Sequence, residues 1–307
     1  PMINLILNHK IFNLNPPILV DLGAGGDPKS DWGVFSEKSH TYKLDANDNI
    51  EKLNDNNNQT LINETILDKK TSVNFNITKS IYCSSLLNPN FDETKNWPFK
   101  IKFDVKKKIK VKTKTLSQII IEKKIKNIDW IKLDLQGIDL KIFKSIPAKF
   151  RKKIIVVEFE PGLYNFYKNE DKLSDILNYM EKEYLIEEFK FSSSIRSNYV
   201  FFNSLKFLQK KSLHLINKKT KFYTNISFLK KDKFVKKNDL RSILLILAIL
   251  ISKKRYIEAL EIIKKNNTID PIIKMIEKKI LIKIKFGIFL YFLSRPYYLL
   301  KKFSKFF

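Results

Sequence analysis

The chain has 307 residues, of which 44% are apolar, so it is long enough for about two domains with sizeable hydrophobic cores. Its single cysteine, Cys83, excludes an internal disulfide and fits a reducing compartment. The formal net charge is +26, but residues 205–307 hold 26 Lys and Arg against 6 Asp and Glu, so the basic excess belongs to the tail. Nucleic acid is not the expected partner, because the body carries little net charge and has no D-P-P-Y or N-P-P-Y motif.

The first informative stretch is ILVDLGAGG, residues 18–26. Its three leading apolar residues predict a strand buried on both faces, and Asp21 closes that run. Gly23, Gly25 and Gly26 follow within four positions, although the whole chain has only 7 glycines. This concentration indicates a turn in which a ligand approaches the backbone closely.

The motif also indicates which ligand the turn suits. A dinucleotide fingerprint would need glycine where the chain has Pro28, and no G-x-x-x-x-G-K-[ST] loop occurs. S-adenosylmethionine fits better, because its ammonium group and its ribose hydroxyls both suit acidic partners. Asp21 lies beside the turn, and Asp45 ends the next predicted strand, where a carboxylate can accept hydrogen bonds from a ribose. The alternative is a glycine loop with two surface aspartates.

Between these motifs and the next, the pattern predicts shorter elements. A short helix is expected through Trp32 and Phe35, and strands are expected in VNFNI and SIY between residues 71 and 82. Residues 84–90 contain two serines and an Asn-Pro-Asn turn. They predict a loop, which either lies over the site or forms an ordinary surface turn.

The second informative stretch is IDWIKLDLQGIDLKIFKSI, residues 128–146. Its first part predicts a buried strand, which Asp134 and the following Gln-Gly pair end, and a helix begins near Ile138. Ligands of an open parallel sheet bind outside the carboxyl ends of its strands, which is where Asp134 is expected.

The sheet is predicted to continue after this helix. IIVVEF forms a third strand that ends in acid at Glu158 and Glu160, at a spacing that suits right-handed parallel crossovers. An amphipathic helix is expected over residues 173–184. IEEFKF and NYVFF then predict an antiparallel pair that completes the sheet.

These motifs together resemble a known family. VDLGAGG, TKTLSQII at residues 113–120, IDWIKLDLQGIDLKIFKSI and IVVEFEP resemble the FkbM family of S-adenosylmethionine-dependent methyltransferases, over residues 18–202. The resemblance implies a class I methyltransferase fold: an α/β, Rossmann-like sheet of seven strands, mostly parallel with an antiparallel last strand. It also implies O-methylation, often of sugar hydroxyls. Family members often read G-A-N-x-G, whereas residues 23–26 read GAGG. That departure keeps a second hypothesis open, a non-catalytic binding or scaffold protein that retains the fold.

Candidate site residues follow from the motifs. The expected cofactor-binding residues are Asp21, Gly23, Ala24, Gly25 and Asp45. The sulfonium of the cofactor already activates the methyl group, so the protein must chiefly orient the acceptor hydroxyl and accept its proton. Asp134 is the first candidate for this base, and an N-cap of the following helix is an equal alternative for it. Glu158 is the second candidate, and Asp139 is expected to face solvent. No metal site is predicted, because the histidines are isolated and a zinc pattern needs more cysteines.

The chain is expected to divide into a methyltransferase domain, residues 1–204, and a basic helical C-terminal extension, residues 205–307. ILLILAILI, residues 243–251, falls short of the ~18 apolar residues that span a bilayer, and it predicts a buried helix. With the following YIEALEII it resembles one tetratricopeptide-type hairpin.

The last stretch, residues 280–307, mixes aromatic residues with lysines, and Pro296 is expected to interrupt it. It predicts either a segment in an anionic membrane interface or a helix packed on the catalytic domain. The start of the chain lacks the basic residues and cleavage site of a signal peptide. The expected location is cytoplasmic, with peripheral contact at the inner membrane face under the first interpretation.

Overall fold

The computed structural model describes residues 2–25, 32–46, 58–232, 239–266 and 270–303. The chain forms two compact units. One unit comprises residues 17–234, and the other comprises residues 1–16 together with residues 235–307.

The described residues form ten strands. They are β1 Ile18–Leu22, β2 His40–Asp45, β3 Gln59–Asn63, β4 Thr65–Ile66, β5 Ser72–Thr78, β6 Val105–Lys114, β7 Trp130–Leu133, β8 Val156–Phe159, β9 Tyr184–Ser194 and β10 Thr220–Lys230. Seven of them make one sheet in the order β3-β2-β1-β7-β8-β10-β9. The first five of that order pair in parallel, and β10 runs antiparallel to both β8 and β9. The predicted α/β sheet, mostly parallel with an antiparallel last strand, is confirmed.

The strand order reverses between β1 and β7, because the chain first builds outward to β3 and then returns to the other side of β1. A crevice forms at such a switch point, outside the carboxyl ends of the strands. Beside it, β4, β6 and β5 form a separate three-stranded sheet, in which β5 and β6 are antiparallel.

Thirteen helices lie within the described residues. They are α1 Met2–Leu7, α2 Lys10–Leu14, α3 Val34–Lys38, α4 Phe91–Thr94, α5 Leu116–Glu122, α6 Asp139–Ser145, α7 Ala148–Arg151, α8 Leu173–Met180, α9 Tyr199–Ser204, α10 Phe207–Ile216, α11 Leu240–Ser252, α12 Tyr256–Asn266 and α13 Pro271–Phe303. Ile81–Cys83 and Lys100–Phe103 are 3-10 helices. TKTLSQII is the start of α5: Thr115 Oγ1 accepts from the Gln118 amide, and Gln118 Oε1 accepts from the Thr115 amide, which forms a capping box.

The main core lies on one face of the large sheet. Val20, Leu22, Ile131, Leu133, Val157 and Phe159 all point into it and are fully buried. Side chains alternate across a strand, so the intervening residues Asp21, Lys132 and Glu158 lie on the opposite face. Acids within these strands therefore point away from the main core, whereas acids that follow a strand can reach the edge of the sheet.

Two predicted strands are helical. SIY falls in the 3-10 helix Ile81–Cys83, and most of NYVFF forms α9. Asn198 causes the second difference, because its Oδ1 accepts hydrogen bonds from the amides of Val200 (3.0 Å) and Phe201 (3.3 Å) and so caps a helix. The antiparallel partner of β9 is instead TKFYTNISFLK, which is β10.

The predicted domain boundary at residue 204 is therefore wrong. β10 lies between β8 and β9, so the sheet needs residues up to Lys230, and its compact unit extends to residue 234. The first sixteen residues belong to the other unit rather than to the methyltransferase domain. They are held there by the Arg241 guanidinium, which donates to the carbonyls of Asn15 (3.1 Å) and Pro16 (2.9 Å).

Helices α11, α12 and α13 make up most of this second unit. The predicted buried helix is confirmed, since all nine residues 243–251 are buried in α11, and α12 contacts it as a hairpin. The predicted break at Pro296 is wrong, because α13 continues past it. No helix within the described ranges combines the length and the apolar character that crossing a bilayer requires.

Candidate active site

A cavity of about 470 Å³ opens at the carboxyl ends of β1, β2 and β7. Gly23, Gly25 and Asp45 line one part of it, and Asp134 and Gln136 line another. The glycine turn, the acid after β2 and the acid after β7 thus come together at the switch point, as their places in the sequence predict. This cavity is termed the glycine cavity.

The turn after β1 needs glycine for steric reasons. Gly23 has φ +86°, and its amide donates to the Leu44 carbonyl at 2.8 Å. A Cβ on Gly23 would lie 2.0 Å from the carbonyl oxygen of Asp134, a distance that no side chain can occupy. A Cβ on Gly25 would lie 3.1 Å from Asp45 Oδ2. Both glycines therefore keep the backbone open at the places where the two acids approach.

The glycine cavity has an acidic end and apolar walls. Asp45 and Glu64 lie at the acidic end, where the Glu64 amide donates to the Asp45 carbonyl at 3.0 Å. Lys114 holds Glu64 with an ion pair of 2.8 Å. The apolar walls come from the small sheet and two loops, and they comprise Phe75, Ile77, Leu86, Ile109, Val111 and Ile138.

Two of the predicted cofactor residues do not line this cavity. Asp21 is 1% exposed within β1, where the register places it between Lys43 of β2 and Lys132 of β7. Burial raises the pKa of Asp21 to about 6, against the opposing charges of the two lysines. Ala24 is buried and its amide donates to the Leu44 carbonyl at 3.2 Å. We correct both to structural residues of the strand and turn, while Gly26 lies outside the described residues.

Asp134 is paired with a second acid. Gln136 Nε2 donates to Asp134 Oδ1 at 2.6 Å, and the carboxyl of Glu160 lies close enough to Asp134 to affect its protonation. Burial, and then the charge and hydrogen bond of Glu160, raise the pKa of Asp134 well above that of an ordinary aspartate. Two neighbouring carboxyls resist ionising together, so Asp134 holds its proton more firmly than a lone aspartate does.

The alternative N-cap role of Asp134 is not found. Helix α6 begins at Asp139, its N-cap residue is Ile138, and that cap has no side-chain hydrogen bond. Asp139 was expected in solvent, but it is 2% exposed, and its Oδ1 accepts from the Leu135 amide at 2.7 Å. The expectation is wrong because the turn after β7 folds back over the start of α6.

Gln136 connects Asp134 to two loops. Its Oε1 lies 2.9 Å from the hydroxyl oxygen of Tyr167, which also lies 2.9 Å from the Cys83 carbonyl oxygen. Ser85 Oγ donates to the Gln136 carbonyl at 2.9 Å. The loop that includes Ser85 and Leu86 therefore lies against this turn and lines the glycine cavity, which favours the first of the two interpretations of residues 84–90 over an ordinary surface turn. The sequence pattern placed Gln136 in the turn after β7, whereas no local pattern indicated that Tyr167 lies at the site.

Glu158 lies away from the site. Its Oε1 accepts from Trp130 Nε1 at 2.8 Å in a buried layer, where Trp130 packs against Trp32 and Phe35. Neither this cavity nor the second one below is lined by Glu158. We correct this candidate to Glu160, which follows the end of β8 and so reaches the edge of the sheet.

A second cavity, of about 510 Å³, shares Tyr82, Asp134 and Gln136 with the first. Its walls are aromatic and include Phe99, Phe103, Phe166, Tyr167, Phe222 and Tyr223. Its polar lining includes Lys102, Glu160, Glu170, Ser192 and Ser193. Sequence analysis missed this cavity, which is termed the aromatic cavity, because its residues come from six separate stretches.

The aromatic walls are fixed by packing and by one buried acid. Phe103 stacks on Phe166 with ring centroids 5.6 Å apart, and Trp97 is fully buried behind them. Glu170 accepts hydrogen bonds from the amides of Phe166 (3.0 Å) and Tyr167 (3.2 Å). Burial raises the pKa of Glu170 to about 7. The ring packing and the hydrogen bonds of Glu170 thus fix the shape of the aromatic cavity.

The doubly wound sheet, with its glycine turn and acids at the switch point, defines a Rossmann-like methyltransferase fold. A family model described as the methyltransferase FkbM domain matches residues 27–190, more than half of the chain. The chain belongs to the FkbM methyltransferase family, and the resemblance drawn from its motifs is confirmed. The match begins after the glycine turn and ends inside β9. No curated protein and no solved structure matches the chain.

Proposed function

We propose that this methyltransferase transfers a methyl group from S-adenosylmethionine to a hydroxyl of a sugar or glycan. One observation carries the proposal: two cavities of different chemistry meet at Asp134 and Gln136. Methyl transfer requires the acceptor oxygen to approach the methyl carbon in line with the bond that breaks. Two separate cavities with a common border suit a donor on one side and an acceptor on the other.

The residues of the glycine cavity fit S-adenosylmethionine. Asp45 offers a carboxylate to ribose hydroxyls, and Gly23 and Gly25 leave the backbone open to a ligand. Apolar walls such as Phe75 and Leu86 suit a flat adenine base. When bound, the cofactor supplies a methyl group that its sulfonium has already activated.

The aromatic cavity fits a sugar. The C–H faces of a sugar ring are apolar and pack on aromatic rings such as Phe99 and Phe222, while its hydroxyls need polar partners. Glu160, Ser192 and Ser193 provide such partners within the same cavity. An acceptor without hydroxyls would leave these groups unpaired, which costs binding free energy.

Asp134 and Glu160 together supply the base. Asp134 would accept the proton of the acceptor hydroxyl as the methyl group leaves its sulfur for that oxygen, and the proton would later pass to solvent. Glu160 keeps the pKa of Asp134 high enough to make this carboxylate an effective base. Gln136 holds Asp134 in place through its 2.6 Å hydrogen bond. Neutral amides at both acids would retain the shape and lose the proton acceptor.

The test is calorimetry with S-adenosylmethionine, followed by incubation with isotope-labelled S-adenosylmethionine and a panel of glycosides. We expect binding of the cofactor and a labelled methyl ether on at least one glycoside, detected by mass spectrometry. Absence of S-adenosylmethionine binding would instead support the hypothesis of a non-catalytic scaffold protein. Binding without transfer to any hydroxyl would contradict the proposed acceptor.

A further inference from the structure

The segment between β9 and β10 is an unusual surface. Residues 195–219 contain six Lys and Arg and no Asp or Glu. This segment holds α9 and α10, and it is termed the exposed insertion. Ile195 and Phe202 are buried, but six of its large apolar side chains are 61–86% exposed: Val200, Phe201, Phe207, Leu208, Leu215 and Ile216. Exposed apolar residues that cluster in this way mark a surface that binds something.

The exposed insertion is built into the rim of the aromatic cavity. Ser193 near the end of β9 and Phe222 near the start of β10 both line that cavity. The chain therefore leaves the sheet and returns to it beside the cavity that we assign to the acceptor.

The beginning of the insertion is also anchored to a cavity wall. The amides of Ser197 and Tyr199 donate to the carbonyls of Asn96 (3.0 Å) and Lys95 (2.8 Å). The Arg196 guanidinium lies 5.2 Å from the centre of the Tyr164 ring. Since residues 95–103 continue into Phe99 and Phe103 of the wall, these contacts hold the beginning of the insertion beside the cavity.

We propose that the exposed insertion docks on an anionic lipid surface and that the acceptor sugar is carried by a lipid. The first part rests on charge complementarity and on the exposed apolar residues, because lysines attract anionic headgroups while apolar side chains enter the interface. The second part rests on the proposed function. Docking through the exposed insertion brings the aromatic cavity to the headgroups, where the sugar of a lipid-carried substrate lies.

Helix α13 offers a second surface of the same chemistry in the other unit. Ile273, Ile276 and Ile280 are fully buried and mark its packed side. Helical periodicity places Ile282, Phe286 and Phe289 on the opposite side, where they are 56–59% exposed. The same periodicity places lysines along both edges of this stripe: Lys278 and Lys285 on one edge, Lys279 and Lys283 on the other. We infer that α13 also binds anionic lipid, independently of the exposed insertion, as the interface interpretation of the tail predicts.

The experiment is co-sedimentation of the full chain with vesicles. Phosphatidylcholine vesicles containing phosphatidylglycerol are compared with pure phosphatidylcholine vesicles, at low and high salt. An insertion variant carries Phe201→Ser, Phe207→Ser and Leu208→Ser, and an α13 variant carries Ile282→Ser, Phe286→Ser and Phe289→Ser. The matched control carries Leu14→Ser, Ile121→Ser and Ile257→Ser, which are 60–89% exposed elsewhere. All variants keep every basic residue.

We expect the parent to sediment with anionic vesicles at low salt and to be released from them by high salt. It should stay in the supernatant with pure phosphatidylcholine vesicles. Each surface variant should partition about tenfold less, and the control should match the parent. A parent that stays in the supernatant overturns the proposal, and so does equal binding to neutral vesicles. An insertion variant that sediments like the parent overturns the role of the insertion.

The substrate class is tested by comparing a glycolipid in anionic vesicles with the same glycoside in water. The parent should methylate the glycolipid faster, and the insertion variant should lose this advantage while keeping its rate on the soluble glycoside. Equal rates of the parent on the glycolipid and on the soluble glycoside would overturn the proposal that a lipid carries the acceptor sugar. Calorimetry with S-adenosylmethionine on the same preparations separates the two proposals, because cofactor binding does not depend on vesicles.

Discussion

Gly23 and Asp134 follow different strands, β1 and β7, yet a Cβ on Gly23 would lie 2.0 Å from the carbonyl oxygen of Asp134. This approach brings the glycine turn and the candidate base to one cavity. It is possible because Gly23 has φ +86° and no side chain.

Replacement of this glycine should therefore disrupt the site. We expect Gly23→Ala to reduce the free energy of unfolding by about 2 kcal/mol or more, measured by urea denaturation, because the clash adds to the backbone strain. Gly33→Ala is the matched control, since Gly33 has φ +46° with nothing within 4 Å of its Cβ position. Equal losses in the two variants would show that the contact with Asp134 has no energetic effect.

Asp45 is expected to hold the cofactor ribose. Asp45→Ala removes a hydrogen bond to a charged acceptor, worth about 1.5–3 kcal/mol, so S-adenosylmethionine should bind at least about tenfold more weakly by calorimetry. The variant should keep the thermal stability of the parent. Asp92→Ala removes an exposed carboxylate outside both cavities and serves as the control. Unchanged affinity in Asp45→Ala would rule out this contact.

Asp134 is expected to act as the base. Asp134→Asn and Glu160→Gln should each retain cofactor binding, and Asp134→Asn should lower turnover about a hundredfold because it removes the proton acceptor. Glu158→Gln is the control, since Glu158 lies in neither cavity and glutamine can still accept the hydrogen bond of Trp130. Full turnover in Asp134→Asn would leave Asp134 with a structural role only.

The Asp134–Glu160 pair should also set the pH dependence of turnover. Because the pKa of Asp134 is raised, its ionised form appears only as pH rises through that higher value, and kcat should rise there. Glu160→Gln removes one cause of the shift, so the acid limb of the kcat profile should move to lower pH. An acid limb that stays in place would show that Glu160 does not affect the titration of Asp134.

Much of this site is readable from local sequence, because its strands are short apolar runs that end in glycine or acid. Gly23 and Asp134 each follow such a run, Asp45 ends the more polar β2, and parallel strands bring their carboxyl ends to one edge. Asp21 fails the same argument because Leu22 continues the strand, so the pleat turns Asp21 to the opposite face. Glu158 fails likewise, since β8 includes Phe159.

Other errors arise from partners distant in sequence. NYVFF has strand-forming residues, but the Asn198 cap makes it helical. The strand that pairs with β9 is β10, whose residues lie 26 to 46 positions away from their partners in the sequence. Asp139 is buried because the turn after β7 folds back over the start of α6, where the Leu135 amide donates to Asp139 Oδ1, and the helical pattern of α6 alone does not show this turn. The aromatic cavity was missed for the same reason, since its walls are assembled only by the fold.

The burial of Asp21 predicts a measurable link between stability and pH. Folding raises the pKa of Asp21 from an ordinary 3.8 to about 6, so the folded state binds this proton more tightly than the unfolded state. The contribution of Asp21 to stability is therefore complete below pH 3.8 and is lost as pH rises to about 6. Relative to Asp21→Asn, which cannot titrate, the parent should lose up to about 3 kcal/mol of unfolding free energy over this window. Urea denaturation of both proteins across the window measures the difference. A difference that does not change with pH would mean that Lys43 and Lys132 fully compensate the burial of the charge.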